Sequence, residues 1–482
     1  MTGRRTKIVA TIGPASDPPE VLQALFEAGA DVARLGLAHG PLDESLDRIK
    51  RVRAAAIGAS RPVGILVDLP GPKVRTAPFR GDGVVLQAGA GVRLTEATEG
   101  DVSTAEVVAV QVAGALEALE PGDRVALGDG GVVLVVKEHR DDGVLATVLG
   151  GGVLRARQGV TMPEARVTQR SPTEDDLRML ERVLEAGVDA VAVSFVQTAD
   201  DVATIKQAIG SGGPVVVAKI ETGPAVDHLE DILHVADAVM VARGDLGVRL
   251  PLEDVPHIQK QIIRRGVTHG KPVITATQML ESMLTAPTPT RAEVSDVANA
   301  VFDGTSAVML SGETAIGQYP VLAVEAMARI TARAERDFDY EGWGTRLGQQ
   351  QMAGLSTASS MVRTTSAITA AAWRASVDAE LAAIIACTNT GTTARMISRF
   401  RPICPILAIT PHWSTARQLT MAWGIQSVVG ETHTTPDDTV WHAVNAAVRL
   451  GVVRPGDLVG VLVGSPVTTE PSTDTLRLVR VR

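Results

Sequence analysis

The sequence predicts an α/β fold, in which a (β/α)8 barrel is interrupted by a small β-barrel domain and followed by an open α/β C-terminal domain. Two observations favour this fold class. Eight short apolar runs alternate with helical stretches, and eight is the strand number of a (β/α)8 barrel. The alternation stops between residues 72 and 163, and again after about residue 340. With 482 residues, the chain is also longer than one ordinary hydrophobic core requires, so several domains are expected.

The barrel strands are predicted from continuous apolar runs, which are typical of parallel strands buried on both faces. Between them, apolar residues recur with helical spacing, and three of these helices end near a glycine that suits a left-handed C-cap. The predicted strands are 7–13, 32–38, 63–69, 190–196, 215–220, 238–242, 273–276 and 307–310. The three clearest helices are 21–28, 173–186 and 253–268.

The two interruptions predict the other domains. Residues 72–163 are rich in Val, Gly and Asp-Gly pairs and alternate apolar with polar residues, which predicts an inserted β domain. The polar stretch 340–354 predicts the exit from the barrel. Beyond it, a predicted helix at 365–375 and five short apolar runs indicate an open α/β sheet. The five runs are 383–387, 406–409, 427–429, 458–463 and 476–481. The expected domains are 1–71 with 164–345, then 72–163, then 346–482.

Composition argues against several kinds of partner. The net charge is −9 and no basic run is present, which argues against nucleic acid. No segment reaches the roughly 18 consecutive apolar residues that a membrane span needs. The two cysteines, Cys387 and Cys404, lack metal-ligand spacing and are expected to be reduced. We therefore predict a cytoplasmic protein that binds neither nucleic acid nor a membrane.

Charged residues follow two neighbouring barrel strands at the point where each strand ends. Lys219 and Glu221 lie at the end of the run 215–220, and Asp245 follows the run 238–242. Because the carboxyl ends of barrel strands meet at one mouth, one ammonium and two carboxylates are expected to lie together there. Two carboxylates with room for water suit Mg²⁺. A lysine beside such a metal can stabilise negative charge on a transferred phosphoryl group or an enolate.

The alternative interpretation is that these three charges form structural ion pairs, which also occupy strand ends. Polar or charged side chains near almost every other strand end favour a functional site instead. They are Arg34, His39, Asp68, Ser194, Thr277, Ser311 and Glu313.

Longer sequence blocks resemble the pyruvate kinase family along essentially the whole chain. The opening block is Lys-Ile-Val-Ala-Thr-Ile-Gly-Pro-Ala-Ser at 7–16, and the barrel centre carries Lys-Ile-Glu at 219–221 and Met-Val-Ala-Arg-Gly-Asp-Leu-Gly at 240–247. The most specific blocks are Pro-Thr-Arg-Ala-Glu-Val-Ser-Asp-Val-Ala-Asn-Ala at 289–300 and Val-Met-Leu-Ser-Gly-Glu-Thr-Ala at 308–315. The resemblance implies a barrel with a β lid domain and an α/β effector domain, in agreement with the organisation above.

The resemblance implies a reaction, the transfer of a phosphoryl group from phosphoenolpyruvate to ADP, which gives pyruvate and ATP. By their positions in the family's motifs, Glu221 and Asp245 would hold Mg²⁺ or Mn²⁺. Lys219 would neutralise charge on the transferring phosphoryl group and on the enolate, and Arg34 would bind the same phosphate.

The resemblance also places the rest of the substrate. The backbone at Gly244 and Asp245 would receive the substrate carboxylate at the start of a helix, and the Thr277 hydroxyl would help to hold it. Thr277, together with Ser311 and Glu313, would lie on the proton route to the enolate carbon.

The nucleotide would face His39 and Arg75. The sequence contains no Gly-x-x-x-x-Gly-Lys-[Ser/Thr] loop. The nucleotide phosphates would therefore be held by side chains and by the metal.

The end of the second strand departs from the family pattern in a way that concerns K⁺. It normally reads Arg-x-Asn-x-Ser-His-Gly, and here it reads Arg-Leu-Gly-Leu-Ala-His-Gly at 34–40. Gly36 and Ala38 offer no side-chain oxygen, so a K⁺ site that includes Asp68 would lose two ligands. Lys73 stands where K⁺-requiring members have Glu, and its ammonium could occupy the place of the ion. The alternative for Lys73 is a solvated charge at the lid hinge, but the two departures agree, so we expect that K⁺ is not required.

A threonine-rich loop follows the first strand of the C-terminal domain. Its hydroxyls and N–H groups could hold a phosphate, and the resembling loop of the family binds a phosphorylated effector. The alternative is a helix cap, because Thr caps helices well. The candidate effector residues are Thr388, Thr390, Gly391, Thr392 and Thr393. The resemblance also implies a homotetramer.

Two other functions stay open on the sequence. One is a metal-dependent enzyme of the lyase class on the same barrel, acting on another enol or 2-oxo acid. Gly36 and Ala38 favour it, whereas Arg75 argues against it because a lyase needs no nucleotide clamp. The other is a non-catalytic, effector-binding paralogue, and the intact Lys219 and Glu221 argue against that.

Overall fold

The structure is a computed structural model that describes most of the chain. The described residues are 3–482 with the exception of 39, 60, 73, 82, 112, 113, 115, 129, 130, 156, 164–170, 355–359, 432, 434 and 465–472. For residues 351–354, 360 and 361 it describes the backbone alone.

The N-terminal part of the chain alternates strands with helices, as its sequence predicts. Helix α1 begins at a proline, whose fixed φ suits the first turn, and it ends at Gly29 with φ 120°, where a glycine is favoured. The elements are β1 (Lys7–Thr11), α1 (Pro19–Ala28), β2 (Val32–Gly36), α2 (Leu42–Gly58) and β3 (Gly64–Asp68).

The insertion after β3 is an all-β unit with its own hydrophobic core. Its strands are β4 (Val84–Leu86), β5 (Gly91–Glu96), β6 (Val107–Val110), β7 (Arg124–Leu127), β8 (Val132–Arg140), β9 (Gly143–Gly150), β10 (Gly152–Leu154) and β11 (Val160–Thr161). Six of them pair in the order β11-β7-β8-β9-β5-β6, and β10 pairs with β4. Alternate residues such as Val92, Leu94 and Ala146 are buried, as expected for a sheet with one face on a core.

The chain then returns to alternating strands and helices. The elements are α3 (Glu174–Glu185), β12 (Ala190–Val193), α4 (Ala199–Ile209), β13 (Val215–Ile220), α5 (Gly223–Asp227), α6 (Leu229–Val235), β14 (Ala238–Ala242), α7 (Arg243–Arg249), α8 (Val255–Thr268), β15 (Val273–Ala276), α9 (Arg291–Asp303), β16 (Ala307–Leu310), α10 (Gly312–Ala315) and α11 (Pro320–Glu335).

Eight parallel strands close into a barrel in the order β1-β16-β15-β14-β13-β12-β3-β2. Residues Val9, Leu66, Met240 and Ile274 lie in the buried cluster that the strands share, and the helices cover the outside with a second apolar layer. Because every strand runs in the same direction, all eight carboxyl ends meet at one mouth. This closure brings together residues that are far apart in sequence.

The C-terminal part forms an open five-stranded α/β sheet. Its elements are α12 (Tyr340–Gly354), α13 (Ser360–Asp378), β17 (Ala383–Cys387), α14 (Thr392–Ser398), β18 (Ile406–Thr410), α15 (Trp413–Gln418), β19 (Ile425–Val429), α16 (Pro436–Arg449), β20 (Leu458–Val463) and β21 (Thr475–Arg480). The order is β19-β18-β17-β20-β21, and β21 is an antiparallel edge strand.

The predicted fold class is confirmed: the closed barrel, the separate half-barrel sheet and the C-terminal α/β sheet are all present. The polar stretch 340–354 forms helix α12, which runs across the predicted boundary between residues 345 and 346. The domain boundaries themselves stay a prediction. None of the described helices is both long enough and apolar enough to cross a membrane.

Candidate active site

A network of charged side chains joins the carboxyl ends of β2, β3, β12 and β13. The Lys219 ammonium donates to the Ser194 hydroxyl at 2.7 Å and lies 3.4 Å from Oδ1 of Asp68. Ser194 donates to the same Asp68 oxygen at 3.1 Å. Arg34 donates to the other oxygen of Asp68 from Nε at 2.9 Å and from Nη2 at 2.6 Å. The structure therefore brings together four of the residues that the strand ends predict.

The two central charges of this network stabilise each other. Burial alone would lower the pKa of Lys219, but the carboxylates of Asp68, Glu221 and Asp245 outweigh burial and raise it above its usual value. Burial alone would raise the pKa of Asp68, but the charges of Lys219 and Arg34 outweigh burial and lower it. Both groups are therefore ionised at neutral pH, which leaves a permanent ammonium at the barrel mouth.

Glu221 is fully buried, and only one of its oxygens is hydrogen-bonded. Oε1 accepts from the backbone N–H of Phe195 at 2.6 Å. Oε2 lies 3.2 Å from the Lys219 ammonium but has no hydrogen-bond partner among the described residues. Burial raises the pKa of Glu221 to about 7, and the negative charge of Asp245 adds to the rise. A buried, incompletely satisfied carboxylate is an environment that a cation would complete.

The carboxylates of Glu221 and Asp245 fit a divalent metal that takes only part of its ligands from the protein. Within the described residues, no cluster of three or more His, Cys, Asp or Glu side chains could hold a metal. Mg²⁺ commonly takes one or two carboxylates and completes its shell with water and substrate phosphate oxygens. The donor set therefore fits Mg²⁺ better than a closed structural site.

Thr277 lies at the end of β15 in a strained backbone conformation. Its φ is 70°, and that of Gln278 is 54°, in the left-handed region that residues other than glycine seldom adopt. Its hydroxyl accepts from the Gly244 N–H at 2.8 Å. Thr277 therefore faces the start of α7, where the sequence predicts the carboxylate pocket with Asp245.

Arg243 holds this segment in place, although the sequence analysis gave it no role. Its Nη2 donates to the Thr277 carbonyl at 2.6 Å, its Nε to the Ala276 carbonyl at 3.2 Å, and its Nη1 to Asp296 at 2.8 Å. One planar side chain thus binds two successive carbonyls and one carboxylate. The sequence signal was its place in the Arg-Gly-Asp turn, but only the fold shows that it reaches across to β15.

Glu313 connects two loops of the mouth rather than pointing into it with a free carboxylate. Its two oxygens accept from the backbone N–H groups of Leu280 at 3.0 Å and Ser311 at 2.6 Å, and the side chain is fully buried. The Ser311 hydroxyl is buried and has no hydrogen-bond partner in the part of the chain that the structure describes. Their assignment to a proton route stays a prediction.

Of the two residues that are predicted to face the nucleotide, only Arg75 is described. His39 and Lys73 lie outside the described residues. Arg75 donates to the Ala38 carbonyl at 3.3 Å, which connects the start of the insertion to the end of β2. Gly71, with φ 65°, packs so closely on Ser194 that an added Cβ would lie 3.0 Å from the Ser194 Cβ. The insertion therefore leaves the barrel directly beside the Lys219 network.

The threonine-rich loop belongs to the C-terminal sheet and not to the barrel mouth. Thr388 accepts from the Gly391 N–H at 2.9 Å, and Thr393 bonds to the hydroxyl of Thr473 at 2.5 Å. Thr390 and Thr392 are exposed, and their hydroxyls lie 3.0 Å apart. The loop is therefore ordered by two buried threonines and presents two exposed ones.

Comparisons with known proteins cover nearly the whole chain. The family model described as pyruvate kinase, barrel domain, matches residues 3–324, and the one described as pyruvate kinase, alpha/beta domain, matches residues 366–479. A pyruvate kinase of Methylorubrum extorquens is 43% identical over 476 residues, with 98% of this chain and 97% of the relative covered. That of Geobacillus stearothermophilus is 39% identical over 480 residues, with 98% and 80% covered, and that of Clostridium acetobutylicum is 36% identical over 479 residues, with 98% and 99% covered.

Proposed function

The chain belongs to the pyruvate kinase family, and we propose on that premise that its barrel mouth transfers the phosphoryl group of phosphoenolpyruvate to ADP with Mg²⁺ and without K⁺. The observation that supports this most is the Lys219 ammonium, fixed between Asp68 and Ser194 and 3.2 Å from the incompletely satisfied carboxylate of Glu221. A fixed positive charge beside a metal-binding carboxylate is what a transferring phosphoryl group requires.

Glu221 and Asp245 would hold the metal, either Mg²⁺ or Mn²⁺. The metal would neutralise charge on the phosphoryl oxygens and the enolate when it is bound. Lys219 would add a second positive charge from the side of β13, and Arg34, which is 18% exposed, would bind the same phosphate from the side of β2. The protein's contribution is a set of charges that is ordered before substrate arrives.

The substrate carboxylate would lie at the start of α7, on the backbone N–H groups of Gly244 and Asp245. Thr277 already occupies the Gly244 N–H, so its hydroxyl would have to share or release that donor when the carboxylate binds. The carbonyl of Thr277 stays fixed by Arg243 during this change. Proton delivery to the enolate carbon would involve Thr277 and Ser311, with Glu313 holding the backbone of Ser311.

We attribute K⁺ independence to the absence of side-chain oxygen at Gly36 and Ala38 and to the charge balance of Asp68. One oxygen of Asp68 accepts two hydrogen bonds from Arg34, and the other is engaged by Ser194 and Lys219. An additional cation at Asp68 would therefore compete with two charges that are already present. Lys73 would supply the remaining positive charge near the nucleotide, which His39 and Arg75 would help to bind.

Regulation, assembly and location are proposed from family membership. The exposed Thr390 and Thr392 would bind a phosphorylated effector, with Thr388, Gly391 and Thr393 shaping the loop. The enzyme would act in the cytoplasm as a homotetramer.

The decisive assay is pyruvate formation from phosphoenolpyruvate and ADP with Mg²⁺, in a tetramethylammonium buffer without K⁺ and again with KCl. We expect the same turnover in both buffers. Turnover only with KCl would keep the reaction and contradict the K⁺ assignment. No turnover in either buffer, even with sugar phosphates or AMP added, would contradict the proposed reaction and favour an altered substrate.

A further inference from the structure

A narrow crevice separates the barrel from the C-terminal sheet on the side away from the active site. Gly270, Lys271 and Pro272 precede β15, and Ser306 precedes β16, so one wall of the crevice is formed at the amino ends of barrel strands. The other wall is formed by α14 and the residues that follow it. The crevice is therefore a boundary between two units and does not belong to the site described above.

Four basic side chains line this crevice: Lys271 from the barrel, and Arg395, Arg399 and Arg401 from the C-terminal unit. None of its eleven described lining residues is acidic. Asp237, the carboxylate that interacts with Lys271 and Arg395, already forms an ion pair with Lys206 at 2.7 Å. The basic groups therefore outnumber the nearby carboxylates.

Part of this positive charge has a structural role. Lys271 donates to the Ala236 carbonyl at 2.6 Å, Arg399 to the Thr268 carbonyl at 3.1 Å, and Arg401 to the Thr305 carbonyl at 2.7 Å. The first two carbonyls lie at the carboxyl ends of α6 and α8, and that of Thr305 lies just beyond the end of α9. Each such helix end carries roughly half a negative charge at most, so the carbonyls cannot balance the full positive charges.

Two further observations indicate that the positive charge is incompletely balanced. Nε of Arg401 is buried without a hydrogen-bond partner among the described residues, although the side chain is only 1% exposed. Burial lowers the pKa of Lys271 to about 8 and the pKa of both Arg399 and Arg401 to about 9. Burial is the largest cause of each shift, and the carboxylates of Asp237 at Lys271 and Glu335 at Arg401 offset it only in part, so an anion in the crevice would stabilise the charged forms.

We propose that this crevice binds a small oxyanion, either free phosphate or the phosphoryl group of a small phosphomonoester, held between Lys271 on the barrel and Arg395 on the C-terminal unit. Tetrahedral oxyanions are bound by converging arginines and lysines, because each donor forms a charge-assisted hydrogen bond. Ser306, which accepts from the Val273 N–H, also lines the crevice and has a hydroxyl proton to donate, whereas the Ser398 hydroxyl already donates to the Trp423 carbonyl.

The crevice is narrow, so an oxyanion would have to widen it. It contains about 280 Å³ of space when its opening to solvent is included, but its enclosed part is no larger than about one water molecule. An oxyanion must therefore displace side chains at the mouth. Lys271 and Arg395 are partly exposed whereas Arg401 is buried, so the widening would take place at Lys271 and Arg395.

Arg395 also connects the crevice to the threonine-rich loop. Its Nη2 lies 3.2 Å from the Thr390 carbonyl and 3.5 Å from the Thr392 hydroxyl. An anion in the crevice would thus draw on the same side chain that contacts the loop. A binding experiment therefore has to distinguish an anion in the crevice from an anion at the threonine-rich loop.

The test is calorimetric titration of the full-length protein with inorganic phosphate and with glycerol phosphate, without Mg²⁺ or substrate. We expect Lys271→Gln and Arg395→Gln each to weaken binding by about tenfold, since each removes one charge-assisted hydrogen bond. Lys271→Arg keeps the charge and should bind within about threefold of the wild type. Tighter binding of glycerol phosphate than of phosphate would identify a phosphomonoester as the ligand, and the reverse would identify free phosphate.

Two control variants locate the anion. Lys50→Gln removes an exposed lysine of α2 that pairs with Asp47 at 2.9 Å and does not line the crevice. Thr392→Val removes a hydroxyl from the loop that is proposed to bind the effector, and so separates phosphate held there from phosphate held in the crevice. Both variants should keep the wild-type affinity of the crevice, and Thr392→Val should lose only binding that belongs to the loop. Loss of binding in Thr392→Val with full binding in Lys271→Gln would overturn the proposal, as would equal binding in all variants or no binding at millimolar phosphate.

A titration with sulfate, which does not change its charge near neutral pH, gives a second readout. Lys271 must be protonated to bind an anion, and it is faced by Lys206, Arg395 and Asp237. Affinity should therefore fall as the pH rises through about 8. The fall should be absent in Lys271→Arg, whose guanidinium stays charged; the same fall in that variant would contradict the role of Lys271.

Discussion

At the scale of single residues, Glu221 has the least complete surroundings of the candidate site. Its side chain is fully buried, one oxygen has only an ion-pair contact, and the pKa is raised to about 7 by burial. An ionised carboxylate in such a place is costly unless a cation lies beside it. The neighbouring Lys219 provides part of that charge, and the metal would provide the rest.

We predict that Glu221→Gln weakens Mn²⁺ binding by about a hundredfold. Replacing a residue that only supports a metal ligand already costs about tenfold to a hundredfold in affinity, and Glu221 is proposed to be a ligand itself. The amide keeps the size of the side chain but loses its charge. Titration of Mn²⁺ by electron paramagnetic resonance measures this directly. Glu253→Gln, a change on the exposed surface, is the matched control, and unchanged Mn²⁺ binding in Glu221→Gln would contradict the metal assignment.

Lys73 is tested by reversing its charge. Lys73→Glu should reduce turnover on the order of a hundredfold, the usual effect of losing one electrostatic contact to the transition state, and KCl should not restore it. The physical reason is that Gly36 and Ala38 provide no oxygen for K⁺. Adding Gly36→Asn and Ala38→Ser to Lys73→Glu should make turnover K⁺-dependent. Full rescue of the single variant by KCl would contradict this account.

At the scale of elements, the turn from β14 into α7 determines the geometry of the next strand end. Arg243 starts α7 and binds the carbonyls of Ala276 and Thr277, while Gly244 donates to the Thr277 hydroxyl. The left-handed φ of Thr277 is maintained by these contacts. Two neighbouring strand ends thus form one rigid unit.

We predict that Arg243→Lys lowers kcat/KM for phosphoenolpyruvate by about tenfold to a hundredfold, because small displacements of positioned groups have effects of this size. Lysine cannot bond two carbonyls and Asp296 at once. If Arg243 positions the carboxylate pocket, KM for phosphoenolpyruvate should rise more than KM for ADP. Arg264→Lys on the exposed face of α8 is the control. Equal changes in both KM values would indicate a general loss of structure instead.

At the scale of the whole molecule, the C-terminal unit is attached to the barrel by charged contacts between distant parts of the chain. Arg417 in α15 forms an ion pair at 2.7 Å with Asp189, which precedes β12 and is only 2% exposed. Asp189 also pairs with Arg53 at 2.8 Å. Because the buried Asp189 pairs with an arginine from each unit, contact between the two units contributes to the stability of both.

We predict that Arg417→Met speeds thermal inactivation by about tenfold, which corresponds to about 1.4 kcal/mol. The effect is smaller than that expected for a completely unpaired buried charge because Arg53 remains. The rate of thermal inactivation is the suitable measurement for a chain of several units, since unfolding of such proteins is often irreversible. Arg374→Met breaks the exposed pair with Asp378 and should have little effect. Equal inactivation rates in both variants would contradict a stabilising role for the Arg417 contact.

Several features could be predicted from short-range pattern and composition. All eight barrel strands formed where the apolar runs predicted them, because residues buried on both faces of a strand must be apolar. The inserted β unit was visible because its alternation and turn residues differ from helical spacing. Lys219, Asp68, Ser194 and Arg34 could be grouped because parallel strands place their carboxyl ends at one mouth.

The interactions among those residues could not be predicted from local pattern. Three features depend on contacts between segments far apart in sequence. Glu313 accepts from two backbone N–H groups, Arg243 reaches the end of β15, and Thr277 adopts a positive φ. The crevice around Lys271 arises in the same way, because its two walls come from separate units. Local pattern determines which face of an element is apolar. The distances between side chains, their pKa shifts and the excess of positive charge in the crevice depend on closure of the barrel and on packing of the C-terminal unit against it.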